Sequence, residues 1–433
     1  MIISPPTGTK DFGIQDCRIR RKIFDKLITV AEAFAFQPLE TPAIERIETM
    51  QGKYGEEGEK LFFKILKRGE QANSGECDLA LRYDLTVPAM RYYTSNRGKL
   101  PKIFKRFQYG PVWRAERPGK DRYRQFYQFD FDIYGSTLLS ADIECLNVTI
   151  SCLKAIGLNN FFIRLNSRKL LYALMNEFNV PENLFQTIIT LIDKVDKIGV
   201  GELSENLMPY KDIGKIKELS NNFLKQNYND LFINLLRLKK ENVESIDELV
   251  ELIKVSNTFL REDQIKIDMT LARGIDYYSG CIFEVEIPGI KGSIAAGGRY
   301  NHLSKLFIDE EVPVCGASLG IERIIPLIDG DSLEIINHVD VYISCTNNDF
   351  ASIVKLANDL RSIGFRVESQ RGSSGKFRKE LSYANQINSI YFIFQGDNER
   401  QSNQFFLKDM KDNKIEGKFS YDEVIEMLKN LRK

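Results

Sequence analysis

Between Phe104 and Gly135 the chain reads FKRFQYGPVWRAERPGKDRYRQFYQFDFDIYG, where strand-forming aromatics alternate with charged and amide side chains. Trp113, Arg114 and Glu116 fall on one arm and Gln125, Gln128, Asp130 and Asp132 on the other, joined by a turn containing Pro118, Gly119 and Lys120. Side chains two apart in a strand share a face, so a hairpin here presents cations and carboxylates side by side. Guanidinium groups suit phosphates, and carboxylates suit an ammonium group. The same charges also suit a salt-laced hairpin on a solvent face, because opposite charges across strands are ordinary.

Two distant segments add to this chemistry. LARGIDYYSG, residues 271–280, sets Arg273 and Asp276 ahead of Tyr277 and Tyr278, and GIERI, residues 320–324, places Arg323 in a helix behind a glycine-rich strand. Three arginines thus reach one sheet from separated places. Only two histidines occur, His302 and His338, and neither lies near a Ser or Cys arrangement resembling a triad. That scarcity steers the chemistry away from imidazole general-base catalysis and toward stabilisation by fixed charges, as suits a phosphate ester or anhydride. His302, beside Arg299 and Tyr300, reads as structural. RGSSGKF has the wrong spacing for a phosphate loop, since Gly372 and Gly375 are too close and Phe377 follows Lys376; it reads as a helix entry capped by Ser373 or Ser374.

At 433 residues the chain exceeds what one hydrophobic core usually supports, and two or three domains are expected. The 60 basic and 60 acidic residues cancel, which removes any argument from overall charge for nucleic acid or membrane, so RNA contact has to come from local patches. Seven cysteines, an odd number without CxxC pairing, read as reduced thiols of a cytoplasmic protein, and no metal site is expected of them. No apolar signal core opens the chain, and no segment approaches the length of a membrane span.

Periodicity supplies the elements that must position these groups. Residues 16–34 read as an amphipathic helix, PLETPAIER as extended, and strands recur at 60–66, 79–81, 102–112 and 123–134, a spacing that predicts an antiparallel sheet. A helix over 142–156 and the strand FFIRLN follow. Residues 167–259 read as an all-helical insertion, after which strands return at 265–269 and 280–287. SIAAGGRYNHL and VCGASLGIERIIPLI form a glycine-spaced strand region entering a helix. The chain turns polar near 329–337, and beyond it strands and helices alternate as in a small mixed sheet.

GTKDF, LRYDLTVP, FKRFQYGPVWRAERP with RYRQFYQFDFD, LARGIDYYSG, AAGGRYNHL and GASLGIERI resemble, in order, the landmarks of the histidyl-tRNA synthetases, members of the class II aminoacyl-tRNA synthetases. The resemblance covers essentially the whole chain. It implies an α+β fold: a class II synthetase-like antiparallel β-sheet catalytic domain over 1–328, with the helical insertion at about 167–259, a linker at 329–337, and a C-terminal α/β anticodon-binding domain over 338–433. It also implies a homodimer, with ATP, magnesium (Mg2+), L-histidine and tRNA(His) as ligands, and no membrane.

By the same resemblance Arg114 and Arg273 meet the α-phosphate of ATP, which histidine's carboxylate attacks to give histidyl adenylate and pyrophosphate. Arg323 holds the bent triphosphate from its γ end, Phe126 stacks on adenine, and Glu116 is the carboxylate near adenine's amino group or a magnesium ion. Asp84, Thr86 and Gln128 hold the α-ammonium group, and Asp132 and Tyr278 pair with the imidazole nitrogens. Gly297 and Gly298 let the ligand lie against backbone; Arg273 and Tyr277 belong to the same histidine pocket, although Tyr277 reads equally as packing. Arg117, Lys120, Arg122 and Arg124 become acceptor-stem phosphate contacts, with a solvated charged turn as the alternative. Arg366, Arg371, Lys376 and Lys379 are candidates for the anticodon stem and loop.

The chain departs from the family's pattern at Gly119, where many bacterial relatives carry Gln, at Asn301, usually Asp, and at Asp84, often Glu. The last two remove no expected catalytic charge. A non-catalytic regulatory subunit of ATP phosphoribosyltransferase is the main alternative to a ligase. Such a chain would lack the last domain and have eroded arginines, whereas Arg114, Arg273 and Arg323 all persist here.

Overall fold

The computed structural model describes residues 3–52, 54, 58–119, 122–177, 180–193, 243–261, 264–272, 278–328, 339–346, 350–369 and 376–431. The chain divides into two compact units, Met1–Leu333 and Glu334–Lys433.

In the first unit the strands are β1 (Gln37–Pro38), β2 (Ile44–Arg46), β3 (Lys64–Leu66), β4 (Cys77–Leu81), β5 (Phe104–Trp113), β6 (Gln125–Tyr134), β7 (Phe162–Ser167), β8 (Ile265–Ile267), β9 (Cys281–Glu286), β10 (Ala295–Arg299) and β11 (Val314–Gly320). Eight of them form one sheet in the order β1-β5-β6-β11-β10-β9-β7-β8. The six central strands are antiparallel throughout, as expected, and the short edge strands β1 and β8 add in parallel. β2, β4 and β3 make a separate small antiparallel sheet.

Alternation along β5 and β6 decides the two faces of the main sheet. Phe107, Phe129, Phe131 and Ile133 lie on the face covered by the helices Ile14–Ala33 and Leu139–Ala155, where Ile23, Leu27, Ala31, Leu146 and Leu153 complete an apolar core. The stripe Ile23, Leu27, Ala31 is the four-residue spacing of a helix face. The described helices of the insertion, Arg168–Glu177, Phe185–Asp193 and Val243–Ser256, join the same core through Leu170, Leu171, Ile188, Ile192, Leu249 and Leu252.

The opposite face is polar: Arg106 and Gln108 on β5, Gln128, Asp130 and Asp132 on β6, Ser318 on β11. At one end of it a second core gathers Met50, Tyr54, Phe62, Tyr83 and Tyr93 around Phe104, Tyr134 and Val314. Beside that core the guanidinium of Arg106, fully buried, pairs with Asp132 Oδ2, while Tyr300 donates its hydroxyl proton to Asp132 Oδ1. Gly316 lies opposite Asp132, and a Cβ there would land on Asp132 Oδ1, the Phe131 carbonyl and the Tyr300 hydroxyl.

The second unit holds β12 (Val341–Cys345), β13 (Val367–Ser369), β14 (Tyr391–Gln395), β15 (Gln404–Asp409) and β16 (Glu416–Ser420) in one mixed sheet of order β13-β12-β14-β15-β16. The first three strands run parallel and the last two antiparallel. The helix after the RGSSGKF segment begins at Phe377 with Lys376 in the N-cap position and no side-chain cap; Ser373 and Ser374, expected as its cap, lie outside the described residues.

Gly316→Ala is expected to lower stability by about 1–3 kcal/mol through overpacking against Asp132. Gly320→Ala, whose Cβ would meet nothing nearer than the Ile294 carbonyl at 3.7 Å, is expected to stay within about 1 kcal/mol of the parent. Denaturant melts of both variants check the contrast.

Candidate active site

β4 leads through Arg82, Tyr83 and Asp84 into the helix Thr86–Asn96. Asp84 Oδ1 accepts the Val87 N–H at 3.0 Å and the Tyr54 hydroxyl at 2.9 Å, so the carboxylate both caps the first turn and is fixed in place. Burial pushes its pKa up, and those hydrogen bonds with the charge of Arg114 oppose the rise. Arg82 donates to the Thr41 and Pro111 carbonyls at 2.7 and 2.9 Å, tying this segment to β5.

Arg114 follows directly after β5. Its Nε donates to the Tyr83 carbonyl at 3.2 Å, and its Cζ stands 4.3 Å from the centre of the Tyr83 ring and 5.1 Å from that of Phe126. Cation–π contact on both rings orients the guanidinium and leaves its terminal nitrogens for an oxyanion. β11 ends opposite Gln128, at the same end of the sheet, and the short helix Ile321–Ile324 then carries Arg323, exposed and bound through Nη1 to the Ser293 carbonyl at 2.7 Å. Arg114, Phe126 and Arg323 therefore share one end of the sheet. Arg273 and Tyr277 lie outside the described residues.

Asp130 and Asp132 are buried with both pKa values raised, to about 7 and about 6; burial is the main cause in each, and Arg106 opposes it. Both act on the fully buried Arg106 guanidinium, and the buried Asp84 adds its negative charge to theirs. Tyr278 stands edge-on to Tyr300 with ring centres 6.0 Å apart. Its hydroxyl is held in the neutral form by burial and then by the charges of Glu284, Asp132, Asp130 and Asp84, which places it beside the same acids. Gly298 lies against the backbone of β9, where a Cβ would strike the Cys281 carbonyl and also approach the Tyr278 ring at 3.0 Å. Gly297 faces the other way, into Ala317 and Phe283 of the apolar core. Thr86, half-buried, begins the helix that Asp84 caps.

In the turn, Glu116 pairs with Arg122, and Arg124 Nε donates to the Glu116 carbonyl at 3.0 Å. Arg124 N–H also donates to the Gly8 carbonyl at 2.7 Å, so the N-terminal GTKDF segment is strapped against the hairpin. Gly8 has φ 83°, and a Cβ would strike Arg124 and Pro118. Arg117 and Arg122 are exposed, and Lys120 lies outside the described residues. His302, exposed, lies 3.2 Å from Glu311 at the rim.

Arg106, Tyr300 and Ser318 were not assigned to the site from the sequence. Asp130 was visible as a carboxylate two residues from Gln128 and from Asp132, and that period of two was the signal for it. Nothing local marks Arg106 or Tyr300, whose partner lies 168 residues from the latter.

A sequence model described as Histidyl-tRNA synthetase matches residues 8–324, and one described as Anticodon binding domain matches residues 340–431. The histidine–tRNA ligase of Porphyromonas gingivalis is 34% identical over 94% of this chain and 95% of its own length. That of Gloeobacter violaceus is also 34% identical, over 93% of each. The crystal structure of histidyl-tRNA synthetase from Nostoc sp. PCC 7120 superposes over the whole of both chains with a TM-score of 0.79 at 25% identity. A Bacillus halodurans structure described as an ATP phosphoribosyltransferase regulatory subunit/histidyl-tRNA synthetase shares the fold, with a TM-score of 0.75 at 19% identity over 91% of this chain and 98% of that one. Matched in sequence through both units, and carrying an oriented arginine beside a buried acidic pocket on a six-stranded antiparallel core, the chain belongs to the histidyl-tRNA synthetase family of class II synthetases.

Proposed function

We propose that this chain activates L-histidine with ATP and transfers it to the 3′ end of tRNA(His) on the polar face of the main sheet. The observation that carries the reading is the adjacency of Arg114, held between two rings with free terminal nitrogens, to a buried pocket with more carboxylates than cations.

Phe126 supports adenine, Arg114 and Arg273 take up the charge that builds on the α-phosphate as the histidine carboxylate attacks, and Arg323 holds the far end of the triphosphate. Asp84, Thr86 and Gln128 receive the α-ammonium group. Asp132, oriented by Arg106 and Tyr300, keeps lone pairs for one imidazole nitrogen, and Tyr278 serves the other. Gly298 lies against β9 and beside that tyrosine, and Gly297 acts through close strand packing. An imidazole-shaped set of polar groups left unpaired by other amino acids discriminates against them.

Magnesium needs few protein ligands beside phosphate oxygens, and Glu116, a half-buried carboxylate at the Arg114 end, supplies a hard oxygen for it. Bound there, the ion would neutralise phosphate charge. Arg117, Lys120, Arg122 and Arg124 form the acceptor-stem side, although Arg122 and Arg124 are already engaged with Glu116. Residues 1–328 are the catalytic part; the linker expected at 329–337 lies outside the described residues, and 338–433 are the anticodon-reading part. There Lys376 and Lys379 remain candidates, Arg366 is paired with Asp340, and Arg371 lies outside the described residues. A homodimer in the cytoplasm completes the reading. No described helix is long and apolar enough to cross a membrane.

Purified protein is expected to exchange pyrophosphate into ATP only when L-histidine is supplied, and Arg114→Ala to lower kcat by about a hundredfold to a thousandfold with thermal stability retained. Exchange without histidine, or stimulated by another amino acid, overturns the reading. The pocket's excess negative charge also weighs on the fold. The Asp130 pKa is raised from 3.8 to about 7, so its contribution is full below about pH 4 and is lost as pH rises through 7. Thermal melts of Asp130→Asn are therefore expected to show little gain over the parent at pH 4.5 and a clear gain, on the order of a few kcal/mol, at pH 8.

A further inference from the structure

Gln128 and Asp130 stand two residues apart on β6 and project from the same face of the sheet. Both are more than nine-tenths buried, at 8% and 1% exposure. Gln128 Nε2 donates to Ser318 Oγ at 2.6 Å, which leaves Gln128 Oε1 without a partner. Neither oxygen of Asp130 meets a donor in full hydrogen-bond geometry. Gln108, its neighbour across β5, is turned to Thr41, donating to Oγ1 at 3.0 Å. Its neighbour across β11 is Ser318, whose hydroxyl helps hold the Asp130 carboxylate in its charged form.

A serine hydroxyl has one proton. With Ser318 Oγ accepting from Gln128, that proton has to leave in another direction, and the residue paired with Ser318 in the register, on the same face of the sheet, is Asp130. We propose that Asp130 is a positioning residue for amino-acid binding: through the Ser318 hydroxyl it fixes the Gln128 carboxamide so that Oε1 is presented as an acceptor to the substrate's ammonium group. The proposal rests on the reading above that Gln128 meets that group. Take away the acceptor at 130 and Ser318 is free to donate to Gln128 Oε1 instead. The amide then turns its NH2 toward the ligand, where two donors confront an ammonium that has only protons to offer. Losing a hydrogen bond to a charged group is worth about tenfold to a hundredfold in affinity.

The test compares L-histidine with 3-(imidazol-4-yl)propionate, the same molecule without its amino group, by titration calorimetry on the full chain, alongside KM and kcat for histidine-dependent exchange. Asp130→Ala and Ser318→Ala are each expected to weaken histidine about tenfold to a hundredfold and the propionate by less than about threefold, with KM moving more than kcat. Asp130→Asn, which keeps a carbonyl to accept from Ser318, is expected to restore most of the histidine affinity, and the Asp130→Ala/Ser318→Ala pair to be no weaker than Asp130→Ala alone. Equal losses for the two ligands, no loss in Ser318→Ala, or failure of Asp130→Asn to rescue would overturn the proposal while leaving histidine activation intact. A parent protein that neither binds histidine nor exchanges pyrophosphate with it overturns the functional reading itself, and the proposal with it.

Discussion

A guanidinium with no solvent exposure has to be neutralised from within, and at Arg106 that requirement organises the catalytic unit. Its partner Asp132 sits across the β5–β6 register, and Tyr300 supplies the second bond to the same carboxylate from beyond β10. Removing one member of such a set leaves a buried charge uncompensated, typically about 3–5 kcal/mol. Two strands, β5 and β6, and the segment after β10 are therefore held in one mutual position. Gly316 follows from that constraint, because the carboxylate occupies the space where a side chain would stand.

The sheet has two faces with opposite assignments. Phe129, Phe131 and Ile133 anchor β6 in an apolar core shared with the long helices and with the described part of the insertion. Gln128 and Asp130, interleaved with them, carry oxygens that are poorly satisfied by their own surroundings, while Asp132 is held by Arg106 and Tyr300. Dispersion and burial on one face thus hold in place, on the other, charges that would not stay buried by themselves. Excess negative charge is tolerable in a pocket whose ligand brings a cation. Arg114 lies against Tyr83 of the second core, close enough to the buried acids for its charge to act on Asp84, and Arg323 follows β11 at the Gln128 end of the sheet.

Much of this was legible in the sequence because it is local. The helix Ile14–Ala33 announced itself by four-residue spacing, β5 and β6 by aromatic alternation around a Pro-Gly turn, and the second unit by alternating strands and helices. The family landmarks are local too, and they named the chemistry before any strand was paired. The period of two along β6 placed Gln128, Asp130 and Asp132 on one face without further information. The helix after RGSSG starts at Phe377 with Lys376 at its N-cap, and Ser373 and Ser374 lie outside the described residues.

Residue type and spacing, then, determined the kinds of element, the candidate phosphate-binding arginine and the acidic stripe, since each depends on neighbours a few positions away. Only the tertiary structure decided which of those groups are free to bind. Register brought Arg106 and Tyr300 onto Asp132, Ser318 beside Gln128 and Asp130, and Tyr83 under Arg114, and it turned Gly297 into the core. Those pairings join residues far apart in the chain, and a hydrogen bond depends on distance in space, to which spacing along the backbone is no guide.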